Sequence, residues 1–225
     1  MGDILLRARD IKRSYQTAAG EFWALKGVDI DVEASKLTIL KGRSGSGKTT
    51  LMNILGALDM PTEGEVVYRD TDLVKISGRG RDEFRRQSAG FVFQSVALVG
   101  MMTAYENVEF GLRIAGFNRQ ETRERAERSL ELVGLGQRMH HMASELSGGE
   151  QQRVAIARAI SHRPAIIFAD EPTAELDSNT GYAVMRVFKE LIDQEGITVV
   201  MSTHDPSLME IADHLYVIED GLIVE

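Results

Sequence analysis

With 225 residues, 43% of them hydrophobic, the chain is long enough to bury one large core or two closely apposed subdomains. A net charge of −8 argues against a nucleic-acid-binding surface, which needs a clustered positive field, and zero cysteines exclude disulfides and thiolate metal sites. No apolar run approaches the roughly 18 residues of a spanning helix and no charged-then-apolar leader precedes Asp3, so a soluble chain is expected that meets any membrane through a partner.

In chain order, Ile4 to Ala8 and Val28 to Val32 read as strands, the second with clean two-residue alternation. Tyr15, between them, suits either a platform for stacking an adenine ring or a half-buried strand position. Phe22 and Trp23 read as packing residues. Next comes an apolar run, Leu37 to Leu40, that breaks into Lys41-Gly42-Arg43-Ser44-Gly45-Ser46-Gly47-Lys48-Thr49-Thr50 and opens a helix expected to last until Leu58. Gly42, Gly45 and Gly47 permit backbone angles that a Cβ forbids, so successive N–H groups can turn toward phosphate oxygens, and the helix adds its partial positive end. In the pattern G-x-x-x-x-G-K-[ST], Lys48 reaches the β- and γ-phosphates and the Thr49 hydroxyl holds Mg²⁺.

After Pro61-Thr62-Glu63-Gly64, a turn cluster, Val66 to Tyr68 resume strand, and charged, loop-like sequence follows to Ser88. Phe91 to Phe93 form a short buried strand that ends at Gln94, which either faces a ligand or sits in a surface loop. From Thr103 to Gly136 the pattern is helical, with Ala126, Leu130 and Val133 as the core stripe and Glu121 with Arg125 and Glu124 with Arg128 as pairs on the wet face. Met101, Met102, Met139 and Met142 suit a partner-binding groove or ordinary gap filling. Ala165 to Ala169 read as a buried strand closing on Asp170 and Glu171, where Asp170 would engage Mg²⁺ through water and Glu171 would polarise an attacking water. Ser147, Gly148 and Gly149 open the helix that runs to Ile160 and form a second anion site. One ATP cannot obviously use both sites, which invites a head-to-tail arrangement of two chains. A lone histidine such as His204, after the strand Ile197 to Met201, is more often structural.

Together these motifs resemble the nucleotide-binding subunits of ATP-binding cassette (ABC) transporters, from about Ile4 to the last residue. Gly42 to Thr49 matches the Walker A loop, Gln94 the Q-loop, Leu146 to Gln151 the LSGGQ-type sequence, and Ile166 to Asp170 Walker B, with Glu171 in the catalytic position. Ala174-Glu175-Leu176-Asp177 stands at the D-loop and His204 at the switch histidine. The resemblance implies an α/β fold: a P-loop NTPase core with a mostly parallel sheet flanked by helices, an N-terminal antiparallel β subdomain, and a helical subdomain. Residues 1–225 then form one ATPase domain, with the core and β subdomain in about 1–94 and 162–225 and the helical subdomain in 95–161. It implies ATP on Gly42, Ser44, Gly45, Ser46, Gly47, Lys48, Thr49 and Thr50, with Tyr15 against the base and Mg²⁺ on Thr49, Gln94 and Asp170. Glu171 and His204 are the implied catalytic residues, while Ser147, Gly148, Gly149 and Asp177 contact nucleotide across a homodimer. The sequences around Gln94 and Ser147 look most like the macrolide-exporter and lipoprotein-release group, which implies integral membrane permease partners, a station on the cytoplasmic face of the membrane, and no nucleic acid. A transmembrane signalling ATPase that controls an extracytoplasmic hydrolase is the alternative. Gly100, Ala34-Ser35, Lys41 and Glu175 depart from the usual pattern, at positions that bear on partner fit and the dimer seam.

Overall fold

The N-terminal alternation extends well beyond the two expected short strands. In the computed structural model, which describes residues 3–18, 20–205 and 209–224, β1 (Ile4–Thr17) and β2 (Gly20–Glu33) form one long antiparallel hairpin. Leu6, Ala8 and Ile11 on β1 and Leu25, Val28, Ile30 and Val32 on β2 are buried, and the polar residues between them keep the outer face wet. With β4 (Glu63–Tyr68) and β5 (Thr71–Asp72) the hairpin makes a four-stranded sheet in the order β2-β1-β4-β5.

The second sheet is built from β3 (Leu37–Lys41), β6 (Ala89–Val92), β7 (Ile166–Asp170), β8 (Thr198–Thr203), β9 (His214–Glu219) and β10 (Leu222–Ile223). Its order is β10-β9-β3-β8-β7-β6, and every pairing from β9 to β6 is parallel. Side chains alternate between its two faces. Leu37 and Ile39, Ile167 and Ala169, and Val199 and Met201 enter one core, while Leu40, Ile166, Phe168 and Val200 enter the other. Near-continuous apolar strands follow from burial on both faces.

One core is covered by α3 (Ala104–Ile114), α4 (Arg119–Leu132), α5 (Gly148–Ile160) and α6 (Ser178–Glu195), the other by the hairpin and α1 (Lys48–Leu55). Each fully buried Leu, Ile or Phe contributes about 1.5–3 kcal/mol, which is why a chain of mostly short elements holds together. The helix after the phosphate loop is shorter than expected: it stops at Gly56, and Ala57 takes φ 54°, turning the chain before Leu58.

The loop-like stretch before Ser88 contains a helix, α2 (Gly78–Gln87), capped by the Ser77 side chain. Only Phe84 of α2 is buried, so no apolar stripe announces it, and Gly78 and Gly80 disguise it further. It is supported by ion pairs of Arg85 with Asp82 and of Arg86 with Glu83. The expected wet-face pairs are also rearranged. Glu121 is taken up by the capping box with Asn118, Arg125 lies 4.2 Å over the Phe117 ring, and Arg128 reaches Glu195 on α6 at 3.0 Å. Of the four methionines, Met101 is 87% exposed and Met139 packs against the core. Among the described residues no helix is long and apolar enough to cross a membrane.

Candidate functional site

The parallel register brings three strand ends to one edge: Lys41 opposite Thr203, and Asp170 opposite Ser202. In such sheets ligands bind outside the carboxyl ends of the strands. The loop leaving β3 turns sharply there because Gly45 has φ 79° and Gly47 φ 110°, the left-handed region that a Cβ disfavours. Gly47 has a second constraint, since a Cβ would stand 2.8 Å from the Ala24 carbonyl oxygen and 2.9 Å from Leu25 Cδ2. It is also the N-cap of α1, and no side chain caps that helix, so its first N–H groups face the loop's concave side.

Lys48 is buried beneath the loop. Its Nζ donates to the carbonyl oxygens of Gly42 at 2.8 Å and Arg43 at 3.1 Å, and lies 3.8 Å from Glu171 Oε1. Thr49 Oγ1 donates to Asp170 Oδ2 at 2.8 Å. Ser202 completes the arrangement: its hydroxyl donates to Asp170 Oδ1 at 2.5 Å and accepts from the Glu171 N–H at 2.9 Å. Sequence reasoning missed Ser202, although a fully buried serine at the end of an apolar strand beside Asp170 is a legible signal. Glu171 has φ 44°, a conformation that costs a non-glycine residue about 1–2 kcal/mol. Its carboxylate faces His204, whose Nδ1 lies 3.4 Å from Glu171 Oε2.

Tyr15, Phe22, Ala24, Ser44, Gly45, Gly47, Lys48, Thr49, Thr50, Gln94 and Glu171 line one cleft of 340 Å³. Phe22 is a correction, because it was expected to pack. It is 54% exposed and stands opposite Tyr15 in the hairpin register, so both rings project from the same face into the cleft. Asp170 joins through Thr49 and His204 through Glu171. Gly42 and Ser46 shape the loop from outside the cleft lining: a Cβ on Gly42 would come within 2.4 Å of the Ile218 carbonyl oxygen.

Ser147, Gly148, Gly149 and Asp177 do not line this cleft and form a second focus. Ser147 caps α5 through its hydroxyl, which accepts from Glu150 N at 3.3 Å, while the Glu150 carboxylate accepts from Ser147 N at 2.9 Å and Oγ at 3.0 Å. Those bonds, with Arg138 3.6 Å away, hold Glu150 below the usual carboxylate range. Asp177 caps α6 and accepts the Thr180 hydroxyl at 2.6 Å, which likewise lowers its pKa. The two caps touch: a Cβ on Gly149 would stand 2.0 Å from Thr180 Cγ2, and one on Gly148 3.8 Å from Leu176 Cδ2. At the far end of α5, Gly90 of β6 comes so near that a Cβ would be 2.4 Å from the Ala159 carbonyl oxygen. Arg158 donates to the carbonyls of Ala97 at 2.7 Å and Val96 at 3.1 Å, just after Gln94.

A nucleotide-sized cleft over a glycine loop, with a second capped glycine turn set apart from it, is matched by a family model described as "ABC transporter" over residues 25–174. The chain belongs to the ABC transporter family. This ABC cassette is 41% identical over 221 residues to a lipoprotein-releasing system ATP-binding protein of Caulobacter vibrioides, covering 98% of this chain and 97% of the relative. It is 44% identical to a macrolide export ATP-binding/permease protein of Syntrophobacter fumaroxidans, of whose length it spans 31%. Among solved structures, a dimeric post-hydrolysis state of the ATP-binding cassette MJ0796 bound to ADP and Pi superposes with a TM-score of 0.90 at 37% identity, covering 98% of this chain and 97% of that one. The α/β architecture is accordingly that of an ABC ATPase cassette, and ATP is its nucleotide.

Proposed function

We propose that the cassette powers a membrane permease, for export or extraction of a peptide, lipoprotein or drug-like substrate, by hydrolysing ATP between two copies of itself on the cytoplasmic face of the membrane. One observation carries the dimer: the Ser147 turn, with an exposed helix N-terminus and no place in its own chain's cleft, is a phosphate-binding element whose phosphate must come from elsewhere. A partner copy supplies it. The dimeric relative and the names of the two sequence relatives support this reading.

In the reaction, Ser44 to Thr50 wrap the phosphates, and Lys48, already held at the loop's underside by Gly42 and Arg43, neutralises the terminal ones. Tyr15 lies against the base. Glu171 accepts a hydrogen bond from the attacking water and takes its proton as the new bond to the γ-phosphorus forms, while the bond from that phosphorus to the β,γ-bridging oxygen breaks and ADP leaves with its electron pair. His204 steadies Glu171 and reaches the γ-phosphate, and Asp177 fixes the Thr180 contact that seats Gly149. Thr49, Asp170 and Gln94 offer hard oxygen donors, two of them already meeting at 2.8 Å, and so fit Mg²⁺, which prefers few carboxylates plus water and phosphate oxygens. When bound there, the ion supplies Lewis-acid neutralisation of charge on the phosphates. Among the described residues no group of three or more His, Asp or Glu is arranged to hold a metal ion by itself.

Residues 95–161 act as the arm that presents Ser147, and residues 1–94 and 162–225 as the body. An apolar-floored groove of 880 Å³ between them, with Phe91, Phe93 and Ile114 inside and Arg79, Arg85 and Arg86 on its rim, suits the permease contact. The test is a Glu171→Gln variant, measured by light scattering during gel filtration with and without ATP and magnesium. It should bind ATP, hydrolyse it about 10²–10⁴ times more slowly than wild type, and run as a dimer only with ATP. A variant that binds ATP and stays monomeric at all concentrations would overturn the shared-site reading.

A further inference from the structure

Tyr15 is held from two directions by groups that touch no phosphate-binding residue. The Arg13 guanidinium carbon sits 4.6 Å from the centroid of the Tyr15 ring, on one of its faces. Arg13 Nη2 donates to Asp59 Oδ1 at 2.9 Å, and the Tyr15 hydroxyl donates to Asp59 Oδ2 at 3.1 Å. Asp59 is itself fixed: its Oδ1 also accepts from Met60 N at 2.7 Å, and its N–H donates to the Asn53 carbonyl on α1 at 3.1 Å. The ring, its cation and its hydroxyl partner are thus fastened to the far end of the helix whose first turn is the phosphate loop. Arg13 makes this contact at some cost, because its Nε is buried without a hydrogen-bond partner.

We propose that Arg13 and Asp59 are positioning residues that set Tyr15 as a ready-made stacking face for the nucleobase, with Phe22 widening the same face; the proposal rests on the nucleotide reading above. A ring covered on one face by a cation has a single face left, and Tyr15 lines the cleft. Fixing an aromatic side chain before binding removes an ordering cost that the ligand would otherwise meet. Two π faces repel through their quadrupoles when stacked directly, and a cation behind one ring draws electron density from it and eases that repulsion. The hydroxyl of Tyr15 is occupied by Asp59, so the ring offers its face and no hydrogen bond to the base edge. Phe22, its neighbour across the hairpin, adds apolar surface beside it.

The consequence is a split between base and phosphate recognition, read by calorimetry on the full chain with two ligands, ATP and inorganic tripolyphosphate, each with magnesium. Arg13→Ala should weaken ATP about three- to tenfold while leaving tripolyphosphate within about twofold of wild type. Asp59→Asn should act in the same direction, and Arg13→Lys, which keeps a cation, should recover most of the ATP affinity. In steady-state turnover the Arg13→Ala change should appear in KM for ATP, with kcat at saturation retained. Equal loss for both ligands would assign the cluster to general stability of the hairpin, and no loss for either would make it ornamental; each overturns the proposal. A wild-type chain that bound tripolyphosphate as tightly as ATP would also overturn it. Failure of wild type to bind any triphosphate would instead remove the nucleotide reading itself, so the two failures are distinguishable.

Discussion

Replacing Gly149 by alanine tests whether the Ser147 turn is seated by contact with α6. The new Cβ would fall 2.0 Å from Thr180 Cγ2, far inside contact distance. The methyl cannot rotate away freely, because the Thr180 hydroxyl on the same Cβ is held at 2.6 Å by Asp177. Either α5 and α6 part, or that hydrogen bond is given up. Overpacking costs about 1–3 kcal/mol, and an alanine in a helix returns about 0.5–1 kcal/mol relative to glycine, so the net loss should be about 1–2 kcal/mol. Thr180→Ser removes the offending methyl and keeps the hydroxyl. In the double variant most of the loss should return, giving a coupling of about 1–2 kcal/mol in a cycle measured by urea unfolding with circular dichroism. ATPase activity should fall in the single variant and recover with stability in the double one. An additive cycle, with the double variant as unstable as the two singles summed, would refute the steric argument and with it the claim that Thr180 seats the turn.

Three further outcomes follow from the same geometry. Ser202→Ala strips Asp170 Oδ1 and the Glu171 N–H of their shared partner and should cost about 1–3 kcal/mol in urea unfolding, with turnover down at least about tenfold. Ser147→Ala should remove about 0.5–2 kcal/mol through loss of the cap and depress turnover, yet leave ATP binding by the single chain unchanged in calorimetry, since Ser147 is absent from the cleft. His162 has its pKa pushed below 6.5 chiefly by burial, partly offset by its bond to the Ala89 carbonyl, so the folded chain prefers it neutral. The unfolded chain then takes up that proton first as pH falls below 6.5, and stability drops on the acid side of that value. His162→Gln should flatten the urea midpoint between about pH 7 and 5.5, and an unchanged slope would contradict this.

What the sequence made readable was local chemistry with strong geometric demands. The glycine spacing before Lys48, the apolar run into Asp170 and Glu171, and Ser147 three residues before Glu150 each specify a turn or cap almost without help from the rest of the chain. Elements supported by charge rather than burial stayed hidden: α2 has one buried side chain, and its ion pairs look like loop composition. Long-range choices were hidden too. Arg128 could have met Glu124 four residues back, but α6 brought Glu195 closer, and Phe22 looked like packing until the hairpin register put it beside Tyr15. The separation of Ser147 from Lys48 is a property of the folded chain that spacing alone could only suggest.

Helix α5 is pinned at both ends, by Gly149 against Thr180 and by Gly90 and Arg158 beside the segment that follows Gln94. Thirteen residues make a rod of about 20 Å. A rod held this closely at both ends would turn a displacement of the serine turn into a tilt beneath the arginine-rimmed groove rather than a slide. The family's conversion of chemical energy into work at a distance would in this chain pass through one short stiff crankshaft, whose bearings are glycines.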